Sequence, residues 1–103
     1  MSTDTTENIK IDEKIEKKIK HPKKYNVVML NDDVTPMEWV MNILKEIYKH
    51  SDATAESLTM AIHTHGSAIV GTYAFEIAEQ KSHETVNLSR NHGFPLTVKI
   101  DEV

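Results

Sequence analysis

Asn31, Asp32 and Asp33 place one amide and two carboxylates side by side, immediately before a Thr-Pro pair. Such side-chain oxygens accept hydrogen bonds from a small cationic group. A primary ammonium carries three N–H donors and no acceptor, so it needs about three acceptors. His63, near the end of a later helix, can supply the third as a neutral imidazole. Asn31, Asp32 and His63 are therefore candidates for a cation site; the alternatives are a turn before a helix and a structural histidine.

The same side chains allow other chemistry, which we weighed against cation binding. Asp32 and His63 together also suit a small hydrolase, although no Ser stands in a Gly-flanked elbow and the chain has no Cys. His63 and His65 are two positions apart on a predicted helix and point in different directions, so we expect no metal site. We expect no cofactor and assign no catalytic residue.

Asn31, Asp32 and Asp33 must lie on a loop between a strand and a helix. Tyr25–Leu30 is aromatic and β-branched, as buried strands are. From Pro36 to about Lys49, apolar residues recur every three to four positions, which predicts a helix. Thr35 can cap that helix, Pro36 suits its first position and Glu38 completes a capping box.

The remaining elements follow from similar signals. Ser51 can cap a second helix, which runs to about His65 and stops at Gly66. A strand at 67–73, a helix from 74 to about 90 and a strand at 96–100 come next. The third helix is predicted to turn Phe75, Ile77, Ala78, Val86 and Leu88 partly inward. The order β-α-α-β-α-β predicts an α+β fold, in which a three-stranded antiparallel sheet packs on three helices in one small domain.

Length and charge narrow the function classes. A chain of 103 residues is one domain, with 39% hydrophobic residues for its core. Seven Lys against five acidic residues give residues 1–24 a net charge of +2, and residues 25–103 carry −6. An acidic domain repels nucleic acid and tolerates a cationic ligand. We therefore predict a flexible polar extension at 1–23 and a core domain at 24–103.

Membrane and secretory signals are missing from the pattern. No apolar run approaches the ~20 residues that span a bilayer. The first residues lack the apolar region of a secretory signal. With no Cys, the composition fits a reducing cytoplasm, so we expect a cytoplasmic protein without membrane partners.

Several separated segments together resemble one known family, the ClpS adaptor proteins. The matching segments are residues 31–40 (NDDVTPMEWV), 61–71 (AIHTHGSAIVG), 76–81 (EIAEQK) and the pair Pro95-Leu96. The resemblance spans about residues 24–101, and the extension matches only in being polar. A ribosome-associated domain of similar α+β shape is a further alternative, but it would carry a Gly/Ala/Lys-rich helix surface rather than an acidic loop.

The resemblance implies a non-enzymatic, monomeric adaptor that recognises proteins by a free N-terminal Leu, Phe, Tyr or Trp. It implies delivery of these N-degron proteins to the N-terminal domain of the AAA+ unfoldase ClpA, for proteolysis by ClpAP. Asn31, Asp32 and His63 match the positions that hold the α-amino group, and Glu76 and Lys81 match positions that face ClpA. The positions that match the apolar pocket are Thr35, Met37, Val40, Thr59, Ile62 and Leu96.

One position departs from the family pattern. Many members carry Met where this chain has Thr59, and that Met narrows the pocket against β-branched N-terminal residues. Met60 lies about 100° further around the helix and cannot take over. We therefore expect a roomier pocket that admits Ile or Val. The role of Asp33 is left open by the sequence.

Overall fold

The computed structural model describes residues 23–103, which form three α-helices and one three-stranded antiparallel sheet. In chain order the elements are β1 Tyr25–Leu30, α1 Met37–Glu46, α2 Asp52–His65, β2 Ser67–Tyr73, α3 Phe75–Asn91 and β3 Thr97–Glu102. The predicted α+β architecture is confirmed. Apart from Lys23, the extension predicted at 1–23 lies outside the described residues.

The central strand of the sheet is β1, with β2 and β3 on its two sides, both antiparallel to it. Its middle residues Val27, Val28 and Met29 are buried, as their apolar character predicts. At the end of β1, Leu30 is paired with Ser67 of β2 and with Thr97 of β3. The chain therefore leaves β1 between the segment that precedes β2 and the segment that precedes β3, and this meeting point positions the site.

The hydrophobic core lies between the sheet and the helices. Its members come from β1, β2, all three helices, the segment after α1 and the residue before β3. They form one cluster: Val27, Met29, Val40, Ile43, Leu44, Tyr48, Ala55, Ile62, Val70, Ala78 and Leu96. Among residues 23–103, no helix combines the length and the apolar character that crossing a membrane requires.

The ends of α2 confirm the capping signals. Ser51 Oγ accepts the backbone N–H of Thr54 at 3.2 Å, and Gly66 adopts φ 92° while its N–H donates to Ile62 at 2.9 Å. By contrast, α1 ends at Glu46, three residues before the predicted end. The chain reverses at Lys49, whose φ is 62°, and this left-handed conformation cannot continue a helix.

The buried face of α3 differs from the prediction. Phe75, Ile77 and Leu88 are 39–45% exposed, so three of the five residues expected to turn inward lie at the surface. The buried residues are small ones: Ala78, Ser82, Thr85 and Ser89. Tyr48, two residues past the end of α1, reaches this face, and its hydroxyl lies 2.8 Å from that of Thr85. Small side chains let α3 approach its neighbours closely, so the apolar pattern alone misjudges which face is buried.

Candidate functional site

The loop between β1 and α1 is organised by one carboxylate. Asp32 Oδ1 accepts the backbone N–H groups of Val34 at 2.8 Å and Thr35 at 2.6 Å. Its Oδ2 accepts the hydroxyl of Thr35 at 2.8 Å. A carboxylate has about four lone-pair positions. One acceptor position, on Oδ2, therefore remains for a ligand.

The predicted capping box is wrong. Pro36 is the N-cap of α1, and its carbonyl accepts the N–H of Val40 at 3.2 Å. Thr35 does not cap the helix, because its hydroxyl and its N–H are both bound to Asp32. Asp32 thus replaces the predicted Thr35–Glu38 pair as the residue that shapes the chain into α1.

The Asp32 carboxyl is biased toward its charged form. Partial burial acts to raise its pKa, but the hydrogen bonds from Thr35 and Val34, with the positive charge of Arg90, outweigh burial and hold the pKa below its usual value. Asp32 is consequently an anion at neutral pH, as a site for a cationic group requires.

Sheet register brings the second half of the predicted amine site to this loop. The backbone N–H of Asn31 donates to the carbonyl of Gly66 at 2.9 Å. Gly66 ends α2, and His63 lies in the last turn of that helix. Asn31 and His63 are both exposed. The loop that carries Asn31 and Asp32 therefore abuts the helix end that carries His63.

The side chain of His63 is not engaged in the structure. Within residues 23–103 no hydrogen bond holds its imidazole, whereas His50 and His92 each contact a backbone carbonyl. No hydrogen bond joins it to Asp32 either, as an acid–base pair would require. In the same part of the chain, no three His, Asp or Glu side chains cluster as metal ligands would. His63 is therefore open to an external partner.

The residues predicted to line an apolar pocket divide into a buried floor and an accessible rim. Val40, Thr59, Ile62 and Leu96 are 1–6% exposed, and three of them belong to the core cluster. Thr59 Oγ1 donates to the Ala55 carbonyl at 2.7 Å, so its polar atom is satisfied within α2.

The rim lies at the start of α1. Met37, the first residue of that helix, is 41% exposed, and Thr35 is partly buried beside Asp32. Met37 and Val40 are three positions apart and so share a helix face. The rim therefore connects the acidic loop with the apolar floor.

Glu76 and Lys81, the residues matched to a partner surface, lie on α3. Glu76 is exposed in its first turn. Lys81 is partly buried, and its Nζ donates to the carbonyl of Ile47 at 2.8 Å, just past the end of α1. The ammonium also lies 5.4 Å from the ring centroid of Tyr73 and 5.9 Å from that of Tyr48. Lys81 thus ties α3 to the end of α1, a role that the sequence did not indicate.

Arg90 was also missed as a residue of this region. Its Nη1 donates to the carbonyls of Phe94 at 3.0 Å and Leu96 at 2.7 Å, and its charge acts on Asp32. The available signal was that Arg90 is the only arginine in the chain and ends a helix just before Leu96.

Trp39, on α1, is partly buried. Its Nε1 donates to Ser89 Oγ at 2.9 Å, and its ring centroid lies 4.5 Å from that of His92 and 5.2 Å from that of Phe94. Trp39 therefore joins α1 to the turn after α3.

Other surface grooves lie away from the predicted pocket. One of about 150 Å³ is lined by Pro36, Glu38, Trp39, Asn42 and Phe94. Another of about 250 Å³ lies between α3 and β3, where Ser82, His83, Val86, Asn87 and Val98 line it. None of the residues predicted for the amine site or the apolar pocket lines either groove.

A three-stranded antiparallel sheet covered by helices in the order β-α-α-β-α-β, with an anionic loop at the end of its central strand, defines a small α+β domain. The family model described as "ATP-dependent Clp protease adaptor protein ClpS" matches residues 20–99. The chain therefore belongs to the ClpS family of Clp protease adaptor proteins.

Individual relatives agree with this assignment. The ATP-dependent Clp protease adapter protein ClpS of Clostridium acetobutylicum is 39% identical over 103 residues, which cover 100% of this chain and 98% of the relative. The one from Treponema denticola is 38% identical over 89 residues, covering 86% of this chain and 88% of the relative. A solved structure, Agrobacterium tumefaciens ClpS2 bound to L-phenylalaninamide, superposes with a TM-score of 0.78 at 38% identity, covering 81% of this chain and 100% of that one.

Proposed function

We propose that this protein is a non-enzymatic adaptor that binds proteins by a free N-terminal Leu, Phe, Tyr or Trp and delivers them to the ClpA unfoldase. The observation that carries the proposal is the Asp32 carboxylate, which is ionised, anchored by three hydrogen bonds and left with an acceptor position on Oδ2. We assign the buried residues Val40, Ile62 and Leu96 to the apolar half of the same site, which would give a charged amine and an apolar side chain adjacent places.

The amine end works as a test for a free N-terminus. An α-amino group has a pKa of about 7.7–8.0 and is largely protonated at neutral pH. Its three N–H donors match one acceptor each from Asn31, Asp32 and His63. An acetylated or internal amide has neither the charge nor the three donors. It would leave the Asp32 charge unpaired and lose the charge-assisted hydrogen bond, the strongest of the three.

The apolar end adds the side-chain requirement. Burying a Leu or Phe side chain contributes roughly 1.5–3 kcal/mol. Val40, Ile62 and Leu96 provide a floor that is already part of the core. Such a floor is in place before cargo arrives, so little ordering is needed on binding. Recognition of the amine and burial of the side chain each contribute a modest binding free energy. Because both are required, together they give specificity.

The similar ClpS2 structure supports this division of the site. The ligand named in it, L-phenylalaninamide, has a free α-amine and a benzyl side chain, while its carboxyl end is neutral. These are the groups that the acidic loop and the apolar floor would recognise. At 38% identity and a TM-score of 0.78, we extend this ligand class to the present chain.

Delivery is the second part of the proposal. We assign Glu76, exposed at the start of α3, to the surface that meets the N-terminal domain of ClpA. Lys81 contributes to the same surface through the shape it imposes, because its ammonium is bound to the Ile47 carbonyl. Residues 1–23 would act in handing over cargo rather than in binding it. The protein would act as a monomer in the cytoplasm.

The experiment compares Phe- and Leu-initiated peptides, each dye-labelled at its C-terminal end, with the same peptides carrying an N-acetyl group. Fluorescence anisotropy should show binding of the free amines and a loss of at least about tenfold on acetylation, the size of one charge-assisted hydrogen bond. Equal affinity for both forms contradicts the proposal. Mass spectrometry of the peptides after incubation serves as the control, because cleavage would instead favour a hydrolase.

A separate titration tests delivery. The full chain, saturated with Phe-initiated peptide, is mixed with the isolated N-terminal domain of ClpA, and formation of a ternary complex is expected. Glu76→Lys should weaken this complex without changing peptide affinity. Glu84→Lys, on the same helix and equally exposed, is the matched control. A complex unaffected by Glu76→Lys would contradict the assigned surface.

A further inference from the structure

We propose that Arg90 is a positioning residue for the N-terminal-residue site, because it holds Leu96 of the apolar floor in place from the end of α3. This inference deepens the proposed function and rests on it. It concerns a residue that touches neither the amine nor the side chain of the cargo.

The end of α3 creates the need for such a residue. Gly93 adopts φ 82°, its N–H donates to Arg90 at 2.9 Å, and the N–H of Phe94 donates to Ser89 at 2.9 Å. These two bonds form a Schellman motif, which closes the helix. They leave the next carbonyls, those of Phe94 and Leu96, outside any helical hydrogen bond.

Arg90 binds both of these carbonyl groups through one nitrogen. Its Nη1 donates to Phe94 at 3.0 Å and to Leu96 at 2.7 Å, and the second bond is partly buried. Leu96 itself is 1% exposed, immediately before β3 begins beside the end of β1. The guanidinium therefore determines where the chain enters the sheet, and with it the position of Leu96 beneath the site.

An aromatic contact joins the same turn to α1, which carries Val40 of the apolar floor. The Phe94 ring packs edge-on against Trp39 at 5.2 Å, and Trp39 directly precedes Val40 on α1. Two residues of the apolar floor, Leu96 and Val40, are thus linked through the turn after α3 and the contact between Phe94 and Trp39. Loss of Arg90 would loosen the turn at its backbone while the aromatic contact remains, so we expect displacement of the floor rather than unfolding.

Electrostatics provides a second, independent readout. The charge of Arg90 favours the ionised form of Asp32 and lowers its pKa. It also repels an incoming ammonium. The other titratable groups in the loop, the first turn of α1, the last turn of α2 and the turn after α3 are Asp33, Glu38, His63, His65 and His92. Only Arg90 among all these groups contributes a charge effect to the Asp32 pKa, so removing it should be visible there.

The test uses the full chain and three variants: Arg90→Met, Arg90→Lys and, as the matched control, Lys99→Met. Lys99 is an exposed cation of β3 that pairs with Asp101 at 3.6 Å and has no link to the turn. Phe-initiated peptide affinity is measured by anisotropy well below each melting temperature. The Asp32 carboxyl is titrated in the free protein by carbon NMR.

Arg90→Met should weaken Phe-peptide binding about tenfold, because two hydrogen bonds that hold the turn and Leu96 are lost and the relief of repulsion offsets only part of that loss. It should also raise the pKa of Asp32. Arg90→Lys keeps the charge on a shorter donor group, so the pKa of Asp32 should stay low while affinity falls about threefold. Lys99→Met should change neither quantity.

Two failures are distinguishable. If the wild type binds free and acetylated peptides equally, the proposed function is wrong and this inference falls with it. If the wild type rejects acetylated peptide but Arg90→Met and Arg90→Lys both bind within twofold of it, only the role of Arg90 is overturned. Should Arg90→Met not fold, Arg90→Lys alone decides: unchanged affinity overturns the role.

Discussion

Replacing Asp32 separates the charge that would bind an amine from the hydrogen bonds that shape the loop. Asp32→Asn keeps the side-chain shape. Its amide oxygen can still accept the N–H groups of Val34 and Thr35, and the Thr35 hydroxyl can rotate to accept from the new NH₂ group. Only the negative charge disappears. Asp32→Ala removes both the charge and all three hydrogen bonds.

The two variants should therefore differ in stability and agree in binding. A hydrogen bond to a charged group contributes about 1.5–3 kcal/mol, so Asp32→Asn should weaken Phe-peptide binding roughly 10- to 100-fold. Asp32→Ala should lose at least as much, for all cargo alike. The loop bonds are partly solvent-exposed, so Asp32→Ala should also cost about 1–2 kcal/mol of unfolding free energy, or roughly 4–16 °C in a domain of this size. Asp32→Asn keeps the hydrogen-bond partners but loses the charge that the lowered pKa of Asp32 favours in the folded protein, so it should melt between the wild type and Asp32→Ala.

Anisotropy with Phe- and Leu-initiated peptides and thermal unfolding by circular dichroism measure the two effects. Asp33→Asn is the matched control: it removes a neighbouring charge whose carboxylate makes no hydrogen bond within residues 23–103, so binding should change less than threefold. Full affinity in Asp32→Asn would refute the amine assignment. Equal melting of Asp32→Ala and wild type would refute the account of the loop.

Three further perturbations test other parts of the structure. Thr59→Met should narrow the pocket and weaken Ile- and Val-initiated peptides relative to Leu; if these bind Thr59→Met as they bind the wild type, Thr59 does not widen the pocket. Gly66→Ala should cost about 1–2 kcal/mol in urea unfolding, since φ is 92° and an added Cβ has no neighbour within 4 Å, which leaves backbone strain as the cause; an unchanged midpoint contradicts this. Burial raises the pKa of Tyr48 from near 10 to about 12. The contribution of Tyr48 to the free energy of unfolding should therefore be full below pH 10 and fall by about 2–3 kcal/mol as pH rises to 12. Tyr48→Phe should abolish that alkaline loss in melting experiments.

Local signals along the chain were sufficient for most of the fold. Alternating and helical apolar patterns, the Ser51 cap and the Gly66 stop located the six elements, because these features depend on neighbours within a few residues. The start of α1 was misjudged for the opposite reason. Thr35 and Glu38 match a capping box, yet Asp32, three residues earlier, binds Thr35 first. Asp32 and Glu38 are both acceptors within reach of Thr35, and the sequence alone does not rank them because the choice depends on the path of the backbone.

The face of α3 shows a limit of another kind. Phe75, Ile77 and Leu88 are large and apolar, but packing distance decides burial here, and the sheet admits only small residues such as Ala78 and Ser89. The candidate site shows the same contrast between what local chemistry indicates and what the folded backbone decides. Asn31, Asp32 and His63 are predicted from their chemistry and stay a prediction, whereas Arg90 binds backbone carbonyl groups that no sequence pattern marks.

The bond from the Asn31 N–H to the Gly66 carbonyl has a consequence for how the site forms. It continues the β1–β2 ladder by one step, so the loop proposed to bind the amine and the end of α2 are joined by the sheet itself. A partly folded chain cannot assemble the proposed site, because the loop with Asn31 and the end of α2 that carries His63 meet only when the central strand has found its register. Competence to capture cargo should therefore appear and vanish together with the folded state. Amide hydrogen exchange at Asn31 should accordingly be as slow as in the middle of β1.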